Sequence, residues 1–311
     1  MKSRIIGTGS SCPAYVMTND DLSRIVETSD EWIKTRTGIE RRHVSDKENA
    51  NAGVNLACEA ARRALDMSKI SASDIDMIIV ATSSADAIYP NMASMVQADI
   101  GAVNASGYDL NAACSGFLFA LNTADAFIRA ERFKNILVIG VEVMSRRLDW
   151  TDRNTCVLFG DGAGAVVLTA CDDNGIESIV MHGDGSRGEV LACTEKQHIT
   201  MNGQEVFKFA VKKVPESIEE VLEQCGWRID EIKHFILHQA NVRIIQSVAK
   251  RLQIDNEKFP TNLSEYGNTS AASIPILLDE LNREGKIQKG DRIVISGFGA
   301  GLSWGATALT W

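Results

Sequence analysis

The sequence predicts an α/β protein assembled from two copies of one structural unit. Three observations lead there. Short apolar runs rich in β-branched residues alternate with segments of helical periodicity along the chain, the pattern of sheets covered by helices. One order of elements, strand, helix start, strand and glycine-rich strand turn, occurs twice at similar spacing, as an internal repeat requires. The 311 residues, 45% of them hydrophobic, suffice for about two domain-sized units with their own cores.

Taken in order, Asn55–Asp66 (NLACEAARRALD) reads as a helix and Ile75–Ala81 as a buried strand. Gly116–Arg129 (GFLFALNTADAFIR) is the next helix, followed by the strand Ile136–Val141 and the glycine-rich FGDGAGAVVLTA. The turn-rich CDDNG at Cys171–Gly175 is the candidate junction, dividing the chain into halves 1–171 and 172–311. Beyond it come the strand Phe235–Leu237, the helix Ile244–Leu252 and the strand Ile293–Ser296. In the repeat, DIDMIIVATSS, NAACSGF, FKNILVIGVE and FGDGAGAVVLTA correspond to EIKHFILHQAN, YGNTSAAS, GDRIVISG and FGAGLSWGATAL. Equivalent loops of the two halves should therefore meet at one site. Those loops carry Cys114 in one half and His238 and Asn268 in the other.

Composition narrows the function classes. With 41 Asp+Glu against 32 Lys+Arg the formal charge is −9, so nucleic acid and anionic membranes are poor default partners. The seven cysteines are odd in number, without CxxC spacing, which points to a reducing compartment and no evident zinc site. MKSRIIGTGSSCPAY lacks the apolar run of a signal peptide, and the apolar runs are too short to span a bilayer. The expectation is a cytoplasmic, soluble protein.

Cys114 precedes an amphipathic helical run. A thiol at a helix N-terminus feels the positive end of the peptide dipole, which favours the thiolate, the setting of a nucleophile. A small buried apolar residue is an equally good local reading of that cysteine, and it is the better one for Cys58 and Cys156. His238 follows a buried strand, where α/β proteins place site residues, although a satisfied core histidine fits too. Asn268 stands at a helix start, where asparagine is also a common cap. His234 and His238 are four apart, but on a strand and without an acidic ligand, so they do not make a metal site. His43, His182 and His198 have no recognisable partner. FGDGAG at Phe159–Gly164 contains GxGxG, yet a strand follows rather than the helix a dinucleotide loop must open. The stretch Phe298–Gly305 suits both a tight strand connection and exposed N–H groups for an oxyanion.

Six segments in register resemble the β-ketoacyl-(acyl carrier protein) synthase III family: DEWIKTRTGIERRH (30–43), NAACSGF (111–117), DRNTCVLFGDGAGA (152–165), HQANVRII (238–245), GNTSAAS (267–273) and GFGAGLSWG (297–305). The resemblance covers essentially the whole chain. It implies a thiolase-like, five-layer αβαβα fold and a Cys–His–Asn site at Cys114, His238 and Asn268. The implied activity starts type II fatty acid synthesis. Cys114 takes a short acyl group, such as acetyl, from acyl-CoA, and the acyl-enzyme then condenses with malonyl-acyl carrier protein as carbon dioxide departs. No cofactor is implied, acyl-CoA being a substrate.

The resemblance also places an oxyanion contact at the backbone of Cys114 and Ala300, with Phe298 beside the pocket. It implies an adenine sandwich from Trp32 and Arg153, Arg36 near phosphate, and a pantetheine channel at Met201, Gly203, Phe207, Ala240 and Asn241. Tyr89 matches the position where relatives insert an aromatic residue across a homodimer to floor the primer pocket. An acidic carrier protein would need a local basic face in this acidic chain. Arg243, Lys250 and Arg251 lie on one helix, with Arg243 and Lys250 two turns apart on the same side, and Lys208 marks a second basic segment. Lys212 and Lys213 read as a solvated face. Within the fold, a thiolase would carry a second cysteine near FGAGLSWG, which has none. A Cys–His–Asn enzyme of secondary metabolism keeps the same residues. A non-catalytic carrier-binding subunit would be expected to lose the nucleophile.

Overall fold

The computed structural model describes residues 1–194 and 198–311. In chain order, the first part comprises β1 (Lys2–Ser11), α1 (Asp30–Thr37), α2 (Ala52–Ser68), β2 (Met77–Ala81), α3 (Met92–Ile100), β3 (Ser106–Leu110), α4 (Gly116–Arg129), β4 (Asn135–Val143) and β5 (Asp161–Cys171). There follow β6 (Ile176–Gly183), α5 (Gly203–Cys225), β7 (His234–Leu237), α6 (Val242–Leu252), α7 (Ser273–Arg283), β8 (Arg292–Gly299) and β9 (Ser303–Thr310).

One sheet has the order β1-β5-β4-β2-β3 and the other β6-β9-β8-β7. Superimposing the orders pairs β1 with β6, β5 with β9, β4 with β8 and β2 with β7. The directions agree as well. β2 and β4 run parallel, as do β7 and β8, whereas β4–β5 and β8–β9 are antiparallel. The duplicated α/β unit read from the sequence is present, with β3 as an addition in the first sheet. The runs expected as buried strands are buried on both faces, Met77–Ala81 and Asn135–Val143 throughout, because helices cover both sides.

Three apolar clusters make the five layers. α2 and α3 pack on the outer face of the first sheet, and α5 and α6 on that of the second. Between the sheets, α4 and α7 contribute Phe117, Leu118, Leu121 and Ile128, and Ile274, Leu277, Leu278 and Leu281, to a shared core. The spacing of three and four puts each set on one helix face. The two central helices begin alike. Each is preceded by a 3-10 turn, 113–115 and 270–272, whose first residue has left-handed φ, 47° at Ala113 and 51° at Ser270. A non-glycine residue held there costs on the order of 1 kcal/mol and persists only where packing over-determines it.

Several expectations need correction. The strand expected from Ile75 starts at Met77, because Ile75 closes a 3-10 turn at 72–74. The glycines of FGDGAG lie largely inside β5 rather than in a turn before it. A Cβ on Gly164 would stand 2.7 Å from the Ile276 nitrogen, so glycine is what lets α7 lie against the strand. α5, with Pro215 inside it, and β1 lie outside the elements expected from the sequence. Among the described residues no helix is long and apolar enough to cross a membrane.

Candidate active site

The two halves meet through reciprocal glycines. Gly299, ending β8, has no room for a side chain: a Cβ would stand 2.7 Å from the Cys114 nitrogen. Gly140 on β4 would place a Cβ 2.3 Å from the Ala271 oxygen, in the turn that opens α7. Each middle strand thus receives the helix start of the other half, which seats Cys114 against the β8–β9 hairpin that carries Ala300.

Cys114, His238, Asn268 and Phe298 line one cavity of about 110 Å³. His238 extends the parallel β7–β8 pairing, its N–H donating to the Ser296 carbonyl at 2.9 Å, so its ring emerges at the strand's C-terminal end. It is buried, and burial pushes its pKa down to about 3, leaving a neutral imidazole near pH 7. Phe298 meets the ring edge-on at 5.4 Å between centroids. Nδ1 lies 2.7 Å from the Ser273 hydroxyl. That hydroxyl also accepts from the Gln239 N–H at 3.4 Å, and its own proton is free to go to Nδ1, an arrangement that would place the imidazole hydrogen on Nε2. In that tautomer His238 presents an N–H donor to the cavity.

Asn268 is fixed at both ends. Its backbone N–H donates to the Leu158 carbonyl at 2.8 Å, and its carbonyl accepts from Gly160 at 3.0 Å. Its Oδ1 accepts from the Ser270 N–H at 2.8 Å. The asparagine does cap a turn, and the cap holds the carboxamide so that the amide nitrogen remains available to the cavity.

Cys114 departs from the expectation of a helix-activated thiolate. Burial pushes its thiol up to about 12; the Ser270 hydroxyl acts to lower it and the Glu142 charge to raise it. Desolvation is the largest influence on the thiol and acts against the direction of the α4 dipole. Glu142, Ser270 and Ser273 are site residues that the sequence reading missed. An acidic residue near the end of an otherwise apolar strand, ILVIGVEV, was the available signal for Glu142. A second, larger cavity of about 600 Å³ opens on Cys114 and is also lined by Ala300, Ser270, Phe159, Met144 and Ile88.

Met201, Gly203, Phe207, Ala240 and Asn241 line the narrow cavity on the side of α5 and α6. Asn241 connects it with α1. Its Oδ1 caps α6 at the Arg243 N–H, and its Nδ2 donates to the Arg36 carbonyl at 3.0 Å. On α1, the Trp32 ring has the Arg36 guanidinium 4.5 Å and the Arg153 guanidinium 4.8 Å from its centroid, a cation–π arrangement.

The other expected residues lie outside the cavities. Tyr89 is 84% exposed and does not line either cavity of its own chain. Of the basic residues, Lys208 pairs with Glu205 at 2.9 Å and Arg251 approaches Glu216 at 3.9 Å. Arg243 donates to the Thr35 carbonyl at 2.6 Å, and Lys250 is exposed on the same helix. Among the described residues no group of three or more His, Cys, Asp or Glu is placed to hold a metal ion.

Comparison with known proteins agrees with this architecture. The sequence profile described as 3-oxoacyl-[acyl-carrier-protein (ACP)] synthase III matches residues 108–185, and that of its C-terminal part matches residues 222–311. The chain is 49% identical over 321 residues to the beta-ketoacyl-[acyl-carrier-protein] synthase III of Clostridium acetobutylicum, covering 99% of this chain and 98% of that protein. Its structure is similar to that of 3-oxoacyl-[acyl-carrier-protein] synthase III from Aquifex aeolicus, with a TM-score of 0.97, 47% identity and coverage of 99% and 100%. The priming beta-ketosynthase of the R1128 polyketide pathway is similar with a TM-score of 0.95 and 33% identity, covering 99% of this chain and 96% of that one.

Proposed function

The chain belongs to the 3-oxoacyl-[acyl-carrier-protein] synthase III family, and from that premise we propose the reaction of its residues. The protein is an acyltransferase, the initiating condensing enzyme of fatty acid synthesis. The observation that carries the residue assignment is the convergence of Cys114, His238 and Asn268, from both halves, on one narrow cavity.

Acyl-CoA enters past Trp32, whose half-buried ring sandwiches the adenine with Arg153 while Arg36 meets phosphate. The pantetheine arm follows the channel of Met201, Gly203, Phe207, Ala240 and Asn241. The Cys114 sulfur attacks the thioester carbonyl, and backbone N–H groups of Cys114 and Ala300 stabilise the oxyanion. CoA leaves, and the acyl group remains on Cys114 in the larger cavity. Malonyl-acyl carrier protein then occupies the channel. His238 donates from Nε2 and Asn268 from its amide to the malonyl thioester carbonyl, holding negative charge as carbon dioxide departs. The resulting carbanion attacks the acyl-cysteine, giving β-ketoacyl carrier protein and ping-pong kinetics. No resident cofactor enters these steps.

The remaining readings share this footing. Residues 1–171 and 172–311 act as two half-domains with the site between them. The carrier protein docks on α6 through Arg243 and Lys250, flanked by Lys208 and Arg251. The enzyme works as a cytoplasmic homodimer in which Tyr89 floors the partner's primer pocket. A priming role in secondary metabolism, as the R1128 similarity suggests, would use the same residues and differ in the acyl group accepted.

Intact-mass analysis after incubation with acetyl-CoA and with longer or branched acyl-CoAs tests the reading. One covalent acyl group is expected, absent in Cys114→Ala. No adduct with any acyl-CoA would refute the first half-reaction. The acyl-CoA preferred separates the primary from the secondary role.

A further inference from the structure

The mechanism above leaves the proton of the Cys114 thiol without a destination. His238 is wanted as a donor in the malonyl step, its Nδ1 is occupied by Ser273, and burial opposes its taking a proton. Glu142 is a buried carboxylate that the mechanism does not use. It is 0% exposed, at the end of β4. Its oxygens accept from the Ser83 N–H at 3.2 Å, the Ser83 hydroxyl at 2.9 Å, the Ser84 hydroxyl, and the Ser270 hydroxyl at 3.1 Å. Burial pushes the Glu142 carboxyl up while these hydrogen bonds favour its charged form, and a carboxylate so raised is a stronger proton acceptor than one in water. Ser270 touches both ends of the path: its hydroxyl donates to Glu142 and neighbours the Cys114 sulfur, with which it lines the larger cavity. A hydroxyl whose single proton is committed to Glu142 can only accept from the thiol. The left-handed backbone at Ser270, φ 51°, holds it in this position.

We propose that Glu142, acting through Ser270, accepts the Cys114 proton during acyl loading, leaving His238 as a dedicated donor for the malonyl step. As sulfur attacks the thioester carbonyl, the S–H bond breaks and its proton passes to the Ser270 oxygen. The Ser270 proton passes at the same time to Glu142. When the tetrahedral intermediate collapses, the carbon–sulfur bond to CoA breaks. The departing thiolate takes a proton back along the same path, so the products are acyl-Cys114, CoA thiol and the restored carboxylate. Glu142 is thus a positioning residue that acts through Ser270. The upward push on the thiol makes such an acceptor necessary, since little thiolate exists near neutral pH.

The surroundings make pH a clean readout. The titratable group facing Glu142 is Cys114 itself. Segments 82–84 and 270–272 bring only hydroxyls, N–H groups and alanines, and β5 brings Asp161, whose carboxylate is taken up by Ser45 and Ser145.

The proposal rests on Cys114 being the nucleophile, and one experiment separates the two. Single-turnover acetylation by acetyl-CoA is followed by quenched intact mass from about pH 6 to about pH 10 in the full-length protein. In Glu142→Gln the loading rate falls about a hundredfold near neutral pH. The deficit closes as pH rises and hydroxide supplies the thiolate, with the acetyl-CoA concentration for half-maximal rate unchanged. Ser270→Ala, which leaves Glu142 its Ser83 and Ser84 partners, shows the same pH-dependent loss and decides the matter should Glu142→Gln fail to fold. Normal loading in either folded variant, or a loss equal at every pH, overturns the relay. Acetylation persisting in Cys114→Ala would instead overturn the nucleophile assignment.

Discussion

At Cys114 and His238 the same force acts in opposite directions on two titratable groups. Removal from water penalises whichever form is charged, so the thiol is pushed up to about 12 and the imidazole down to about 3. Both groups are consequently neutral at rest. That suits a site in which the thiol must lose its proton only during attack and the imidazole must donate a hydrogen bond. The burial of His238 also has a stability signature. Above its ordinary value of 6.5 it is neutral whether the chain is folded or unfolded. Below that, the unfolded chain binds a proton that the folded one refuses until about pH 3. Its contribution to stability is therefore lost as pH falls through this window, at up to about 1.4 kcal/mol per pH unit. Denaturant unfolding of wild type and His238→Asn at a series of pH values should give a shallower acid slope in the variant. Identical slopes would show that His238 titrates normally in the folded protein.

Among the elements, α6 shows how a sequence pattern becomes two surfaces. Ile244, Ile245, Val248, Ala249 and Leu252 are buried against the second sheet, and Arg243, Lys250 and Arg251 remain on the outer side. The helix adjoins the channel through Asn241, so a protein bound to its basic face would deliver a tethered thioester to the cavity. The basic residues differ in what they have left to offer. Arg251 and Lys208 approach acidic side chains, and Arg243 also holds the α1 carbonyl of Thr35. Arg243→Glu and Lys250→Glu are expected to reduce kcat/KM for malonyl-acyl carrier protein by about tenfold, more at low salt than at high. Acyl loading from acyl-CoA should be spared in Lys250→Glu, whose side chain is remote from Thr35. Equal loss of both half-reactions in Lys250→Glu would refute docking on this face.

For the whole molecule, the governing fact is that the site exists only where two halves touch. The reciprocal approach of Gly140 to Ala271 and of Gly299 to Cys114 fixes this contact at backbone distance, closer than any side chain would allow. One apolar surface is left uncovered beside the larger cavity: Ile88 is 83% and Tyr89 84% exposed. A second copy of the chain closing over the cavity mouth, as proposed above, would bury both side chains. Sedimentation at working concentration is expected to give a dimer, and a monomer would remove the role assigned to Tyr89.

Periodicity and local chemistry determined the α/β class, the duplicated unit and the short list of Cys114, His238 and Asn268, because hydrophobic spacing and strand-end placement are written in neighbouring residues. The resemblance over six segments added what such spacing does not contain, the fold family and the reaction. Tertiary structure alone decided the surroundings of the site's titratable groups. The burial that raises the Cys114 thiol, the Ser273 hydroxyl at His238 Nδ1 and the Ser270 hydroxyl on Glu142 bring together groups about 35 to 130 residues apart in sequence. Desolvation and hydrogen bonding act through space, so no local reading of the chain could weigh them.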